Sequence, residues 1–123
     1  MHIVDDPNSP AGPETDFETF RQVDIRLGTV TDAKPADGVR NPALKLTIDF
    51  GAGLGERTSL AQITRHYEPQ EMIGRQVLAV VNFPPRQIGK HRSQVLVLGL
   101  ADAAGDIVLV APDQSLPNGA RLA

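Results

Sequence analysis

Arg86, Lys90, His91 and Arg92 crowd one short segment that begins just after Pro84-Pro85. Two apolar runs, residues 77–81 and 95–98, flank it, and no Asp or Glu occurs between Arg75 and Leu100. Side chains of this kind bind anions. A guanidinium forks onto phosphate oxygens, and an ammonium acts as a compact point charge. A rigid dipeptide leading into a basic segment between two strands suits a loop that presents positive charge. The same residues also fit an ordinary solvated connection.

Other chemistry finds little support. The three histidines, His2, His66 and His91, lack metal-ligand spacing, and His91, among cations, is expected in solvent. The chain has no cysteine, which excludes a disulfide framework, a thiol nucleophile and a cysteine-ligated zinc. Residues 51–55, GAGLG, lack the Lys-Ser/Thr of a phosphate loop and read as a hairpin connection. No serine sits in a G-x-S-x-G setting. Asp24 and Asp49 read as paired or solvated carboxylates, Asp24 beside Arg26. The sequence therefore predicts a binding protein rather than an enzyme, with no cofactor and no metal site.

The net charge is −3, unevenly spread. Residues 1–56 hold 5 Lys/Arg against 10 Asp/Glu, residues 57–93 hold 6 against 2, and residues 94–123 hold 1 against 3. A positive segment inside an acidic chain permits a local phosphate-binding face and excludes a histone-like binder. The first residues carry acids and prolines where a secretory leader needs basic and apolar regions, and no apolar run is long enough for a membrane helix. A soluble cytoplasmic protein without membrane insertion is expected.

The elements that must hold this segment are mostly strands. Residues 1–15 read as a disordered tail and 16–123 as one domain. Asp16 is placed to N-cap a helical turn over 17–23, with Phe17, Phe20 and Val23 at packing positions. A strand over 24–34 contains Gly28, which predicts a bulge or bend. Leu44, Leu46, Ile48 and Phe50 alternate with Lys45, Thr47 and Asp49, a half-buried strand. A third strand covers 56–64, where Arg57, Ser59 and Gln62 either line a surface or are plain strand polarity. A short helix follows over 67–73, with Pro69 in its first turn and Gly74 as its stop. Strands over 76–83, 94–100 and 107–111 complete the set.

This order predicts an all-β chain, a five-stranded OB-fold barrel with short helical turns and extra C-terminal strands. OB-folds bind ligands over their second and third strands and with the loops after the first and fourth. Those loops are here 35–42 and 82–93. The last three strands are apolar on both faces, which predicts cover by a second copy in a homodimer, the alternative being cover by the two ends of the chain. With four Phe, one Tyr and no Trp, the chain has few residues on which to stack bases. Structured RNA suits it better than an extended strand.

The segments FETFRQVDIRLGTV, KLTIDFG, SLAQIT, IGRQVLAVVNFPPRQIG, SQVLVLGL and PDQSLPNGARL resemble the tRNA-binding domain family, in particular its CsaA group. The likeness runs from about Phe17 to Leu122, and VVNFPP followed by VLVLG is its most specific part. That family includes free-standing homodimers and domains appended to aminoacyl-tRNA synthetases. The resemblance implies an OB-fold, a homodimer and tRNA as a partner. It also implies an export-related chaperone activity on unfolded polypeptides. An accessory partner of a synthetase is a further alternative. Carried over by motif, the RNA-facing positions are Arg57, Ser59, Gln62, Asn82, Arg86, Lys90, Arg92 and Ser93. Leu60 departs from the pattern where a small polar residue is common, and His91-Arg92 departs where an apolar or aromatic residue usually precedes a basic one or Met.

Overall fold

A computed structural model describes residues 3–123. Its elements in chain order are α1 (Phe17–Arg21), β1 (Ile25–Pro35), β2 (Leu44–Asp49), β3 (Glu56–Ala61), α2 (Pro69–Met72) and β4 (Gln76–Val80). Then come β5 (Arg86–Ile88), β6 (His91–Ser93), β7 (Leu96–Val97), β8 (Gly99–Ala101) and β9 (Ile107–Leu109). Five strands form one antiparallel sheet in the order β3-β2-β1-β4-β7, and β5-β6 and β8-β9 are separate hairpins.

β1 is the longest strand and is shared by two partners. Its first half, residues 25–29, pairs with β4, and its second half with β2. Thr31 is the extra residue of a bulge, because Val30 pairs with Ile48 and Asp32 already with Thr47. The inserted residue shifts the alternation, so Val30 and Ala33 are both buried. The bend therefore lies at Thr31. Gly28 contributes in another way, since a Cβ there would stand 2.5 Å from Ile48 Cγ2 and 2.8 Å from the Phe50 ring. The missing side chain lets these two core residues pack onto the β1 backbone.

The sheet closes into a barrel where β3 meets the stretch before β7. The Gln94 and Val95 amides both donate to Thr58 O, at 2.8 and 3.2 Å. Side chains supply what a regular ladder would: Thr58 N–H donates to Gln94 Oε1 at 2.9 Å, and Leu60 N–H donates to Ser93 Oγ at 3.1 Å. Inside lie Leu44, Leu46, Ile48 and Phe50 of the alternating strand, packed with Ile63, Met72, Val77, Ala79 and Val97. α2 follows β3, starts at Pro69 and stops before Gly74, whose φ is 88°.

The C-terminal tail is tied to the barrel near the start of β1. Residues 119–122 occupy the edge of β1 that β2 does not reach: Gly119 and Leu122 donate to Leu27 O and Ile25 O, and Leu27 donates to Ala120 O. Asp24 sits at this junction. It takes a two-pronged contact from Arg26, at 2.6 and 3.2 Å, and an ion pair from Arg121 Nε at 3.3 Å. The expected pairing of Asp24 with Arg26 is thus present.

Several expectations need correction. The basic segment is a hairpin, β5-β6, rather than an open loop. The fifth long strand breaks at Leu98 into β7, in the barrel, and β8, outside it. β3 ends at Ala61, three residues early. α1 has its Asp16 cap, which accepts from Thr19 N–H at 2.8 Å, but none of its residues is buried, so it packs less than its aromatic spacing suggested. Residues 3–15 form no helix or strand, and His2 and the first two residues of the expected tail lie outside the described residues. Among the described residues, no helix is long and apolar enough to cross a membrane.

Overpacking at Gly28 has a measurable cost. Gly28→Val is expected to lower stability by roughly 1–3 kcal/mol, because Ile48 and Phe50 must leave their rotamers to admit the side chain. A downward shift of the urea midpoint checks this, and an unshifted midpoint would remove the close-packing account.

Candidate nucleic-acid interface

The hairpin is built from its turn outward. Gly89 and Lys90 connect β5 to β6, and Gly89, the first central residue, has φ 58°. That is the position at which a two-residue hairpin turn of this kind favours glycine. A Cβ on Gly89 would also stand 2.9 Å from Gly38 O, so the tip rests against loop 36–43. His91 makes the same junction from the far side of the turn. Its Nε2 lies 2.8 Å from Asp37 O, and since a carbonyl only accepts, Nε2 carries the proton. His91 is 9% exposed, not solvated as its basic neighbours suggested. Two loops that are far apart in sequence are joined into one rim.

Pairing within the hairpin decides where its charges point. Arg86 pairs with Ser93 and Ile88 with His91, while Gln87 pairs with Arg92. Paired residues share a face and neighbours alternate. Arg86 therefore lies on the same face as the buried His91, and Arg92 on the opposite, outward face. Lys90 stands at the tip. All three cations are exposed, and none of them forms a salt bridge among the described residues.

Two clefts flank this hairpin. One, of about 290 Å³, is bounded by loop residues Val39, Arg40 and Asn41, by Gln62 and by Arg86 and Ile88. The other, of about 390 Å³, is largely apolar, lined by Phe83, Pro84, Ile88, Val95 and Leu96 with Arg86 and Ser93 at its edge. Leu60 forms part of both walls. Gln62, Arg86 and Arg40 thus meet around one opening. Arg40 was not singled out from sequence. The signal was available, since it is the one cation in a loop already placed at a usual OB binding position.

The remaining candidates are placed differently. Ser59 pairs with Leu46 and Arg57 with Ile48, both core residues, so the two side chains take the inward face of β3. Ser59 is 1% exposed and cannot touch a ligand on this surface. Arg57 is half-buried and donates from Nε to Leu54 O at 3.2 Å. Ser93 spends its hydroxyl on barrel closure, accepting from Leu60 N–H and donating to Val95 O. Asn82 spends its amide as a clamp: Oδ1 accepts from Asp24 N–H at 2.9 Å, and Nδ2 donates to Gln22 O at 2.8 Å. The eight residues fall into an exposed set of Gln62, Arg86, Lys90 and Arg92 and a set of Arg57, Ser59, Asn82 and Ser93 whose polar groups are engaged by the fold, Asn82 among them although it is exposed.

Away from the hairpin, His66 meets Asp102 at 2.7 Å, and ligand atoms of His66, Asp102 and Asp106 lie within 4.8 Å of one another. These residues are far apart in sequence, so spacing alone did not reveal the group. Each already has a protein partner. Asp102 Oδ1 accepts from the Ala104 and Asp106 amides in a turn, and Arg65 lies 3.9 Å from Asp106. The Asp106 amide, then the His66 side chain, hold the Asp102 carboxyl below its ordinary value. The contacts account for one another as a turn closure.

A sequence profile described as "Putative tRNA binding domain" matches residues 25–121. The chain belongs to the tRNA-binding domain family. Within it, the fold matches the crystal structure of chaperone CsaA from Bacillus anthracis, with a TM-score of 0.84, 48% identity, 90% of this chain and 100% of that one. A CsaA chaperone protein from Picrophilus torridus matches at 0.82, with 39% identity over 89% of this chain and 100% of that one. Methionine–tRNA ligase from Flavobacterium johnsoniae is 36% identical over 118 residues, 94% of this chain. The match spans only 16% of that enzyme's length. The barrel with its extra hairpins is therefore the CsaA-like form of the family fold, as the sequence motifs implied.

Two measurements test this geometry. His91→Ala should lose about 1 kcal/mol of stability with the Asp37 bond. Amide exchange should quicken selectively over residues 86–93; uniform quickening would argue against a local clamp. For Asp102 the sign follows from its lowered folded value. The contribution is fully present above the unfolded value of about 3.8 and lost as pH falls through the folded one. Asp102→Asn should flatten that part of the acid limb of melting temperature against pH, and an unchanged limb would exclude the linkage.

Proposed function

We propose that this chain is a non-catalytic, cytoplasmic tRNA-binding protein that works as a homodimer. The observation that carries the reading is the anchored hairpin. Arg86, Lys90 and Arg92 stand exposed without salt-bridge partners among the described residues, next to Arg40 and Gln62, on a rim braced by His91 and Gly89. Counterion release from phosphates would supply most of the affinity, and the fixed frame would supply register. Gln62 is the exposed directional donor and acceptor of the group. The family match supports tRNA over other structured RNA. Dimerisation is supported by the apolar residues left exposed on β9 and the C-terminal tail, Val108 at 43%, Leu116 and Leu122. A dimer would bring two such hairpins to one tRNA, and the second contact would add avidity.

A second reading has its own observation. The apolar cleft beside Phe83 and Leu96 would accept a hydrophobic side chain, and both CsaA structures are described as chaperones. Unfolded or export-bound polypeptides would then be clients.

Titration with tRNA separates the two. Three phosphate contacts per hairpin predict a slope of about −2 to −3 in log affinity against log salt for one hairpin, and about −4 to −5 when both hairpins of a dimer engage; the slope should be flatter after Arg86→Glu with Arg92→Glu, which should weaken binding by roughly tenfold or more. Aggregation suppression should persist in Lys90→Glu with Arg92→Glu, two residues outside the apolar cleft, if polypeptide uses that cleft. A flat salt response in the native chain would sink the phosphate-binding reading.

A further inference from the structure

Residues 3–9 do not trail into solvent away from the barrel. Residues 3–7 and Ser9 form one wall of a cleft whose other wall is residues 99–105 with Ile107. Ile3 continues past it and also lines the apolar cleft of Phe83, Arg86, Ile88 and Leu96. The segment thus reaches from the β8-β9 hairpin to the basic hairpin. It has the opposite charge: residues 1–16 contain Asp5, Asp6, Glu14 and Asp16 and no Lys or Arg. It also lies outside the part of the chain that the family profile matches, residues 25–121.

We propose that residues 3–9 are a reversible strap, with Ile3 lining the mouth of the apolar cleft beside Arg86 so that the strap and RNA compete for one face. This rests on the tRNA-binding reading above and adds a means of regulating it. Two physical terms act together. Ile3 brings apolar surface to the cleft that holds Arg86, and Asp5 and Asp6, close behind it in the chain, lower the positive potential of that rim. Ile3 is 82% exposed, so its burial gain is small and the strap opens readily. RNA then binds only the open fraction, and its apparent affinity falls by that fraction. Salt weakens both effects, because the strap's acids and the phosphates act on the potential of the same cations.

The test uses the full chain. Ile3→Ser with Asp5→Asn and Asp6→Asn removes the strap's contacts and leaves the hairpin intact. This variant should bind tRNA roughly threefold to tenfold more tightly than the native chain at low salt, the factor reporting the strapped fraction. A nitroxide on Val4→Cys, the only thiol in a chain without cysteine, should broaden the amide signals of Phe83, Arg86 and Leu96. Added tRNA should relieve that broadening. Unchanged affinity in the triple variant, or no broadening at these residues, would overturn the strap while leaving the RNA reading in place. If neither native nor variant chain binds tRNA, the RNA reading fails and the competition fails with it.

Discussion

The barrel depends on one strand being asked to pair in two directions. β1 serves β4 with its first half and β2 with its second, and a flat strand cannot do both in a closed sheet. The bulge at Thr31 turns the strand while keeping Val30 and Ala33 in the core. Gly28 lets Ile48 and Phe50 approach the backbone just before that turn. The changeover leaves one edge of β1 without a neighbour, and residues 119–122 fill it. A bend, a missing side chain and a docked tail are therefore parts of one solution to strand closure.

The same closure sets the character of the candidate binding face. Because β3 meets residues 93–95 largely through side chains, Ser93 and Gln94 are committed to structure. What remains free is the hairpin that projects beyond the seam. It is short, and two strands alone would be marginal in water. The contacts of His91 and Gly89 with loop 36–43 hold it to the barrel. Charge is thereby presented on both faces of a braced ribbon, Arg86 toward the clefts and Arg92 outward. This arrangement favours a partner that wraps around an edge over one that lies flat.

Features governed by local rules were legible in the sequence. Asp16 as a cap, Pro69 at a helix start, Gly74 as a stop and the alternation from Leu44 to Phe50 all depend on neighbours a few residues away. So was the order of strands and the position of the basic segment. The surroundings of the candidate site residues were less legible, because they are set by long-range pairing. Ser59 looks like a surface residue until Leu46 is known to lie opposite it. His91 looks solvated until Asp37, 54 positions away, is found beneath it. Asn82 carries the right groups for a ligand, but Gln22 and Asp24 take them both. Composition identified which groups were present, and only tertiary register decided which of them were free.

The docked C-terminal tail bears on the order in which the molecule can assemble. Arg26 reaches Gly119 across 93 residues, and Arg21 reaches Leu122 across 101. Contacts this distant in the chain raise contact order and slow folding. Until residues 119–122 are available, Ile25 and Leu27 present unpaired backbone groups on a strand edge, a template for joining another chain. A nascent polypeptide emerging from the ribosome would have to carry that open edge until residues 119–122 are made. The closing step of the barrel is thus a kinetic vulnerability as well as a seal.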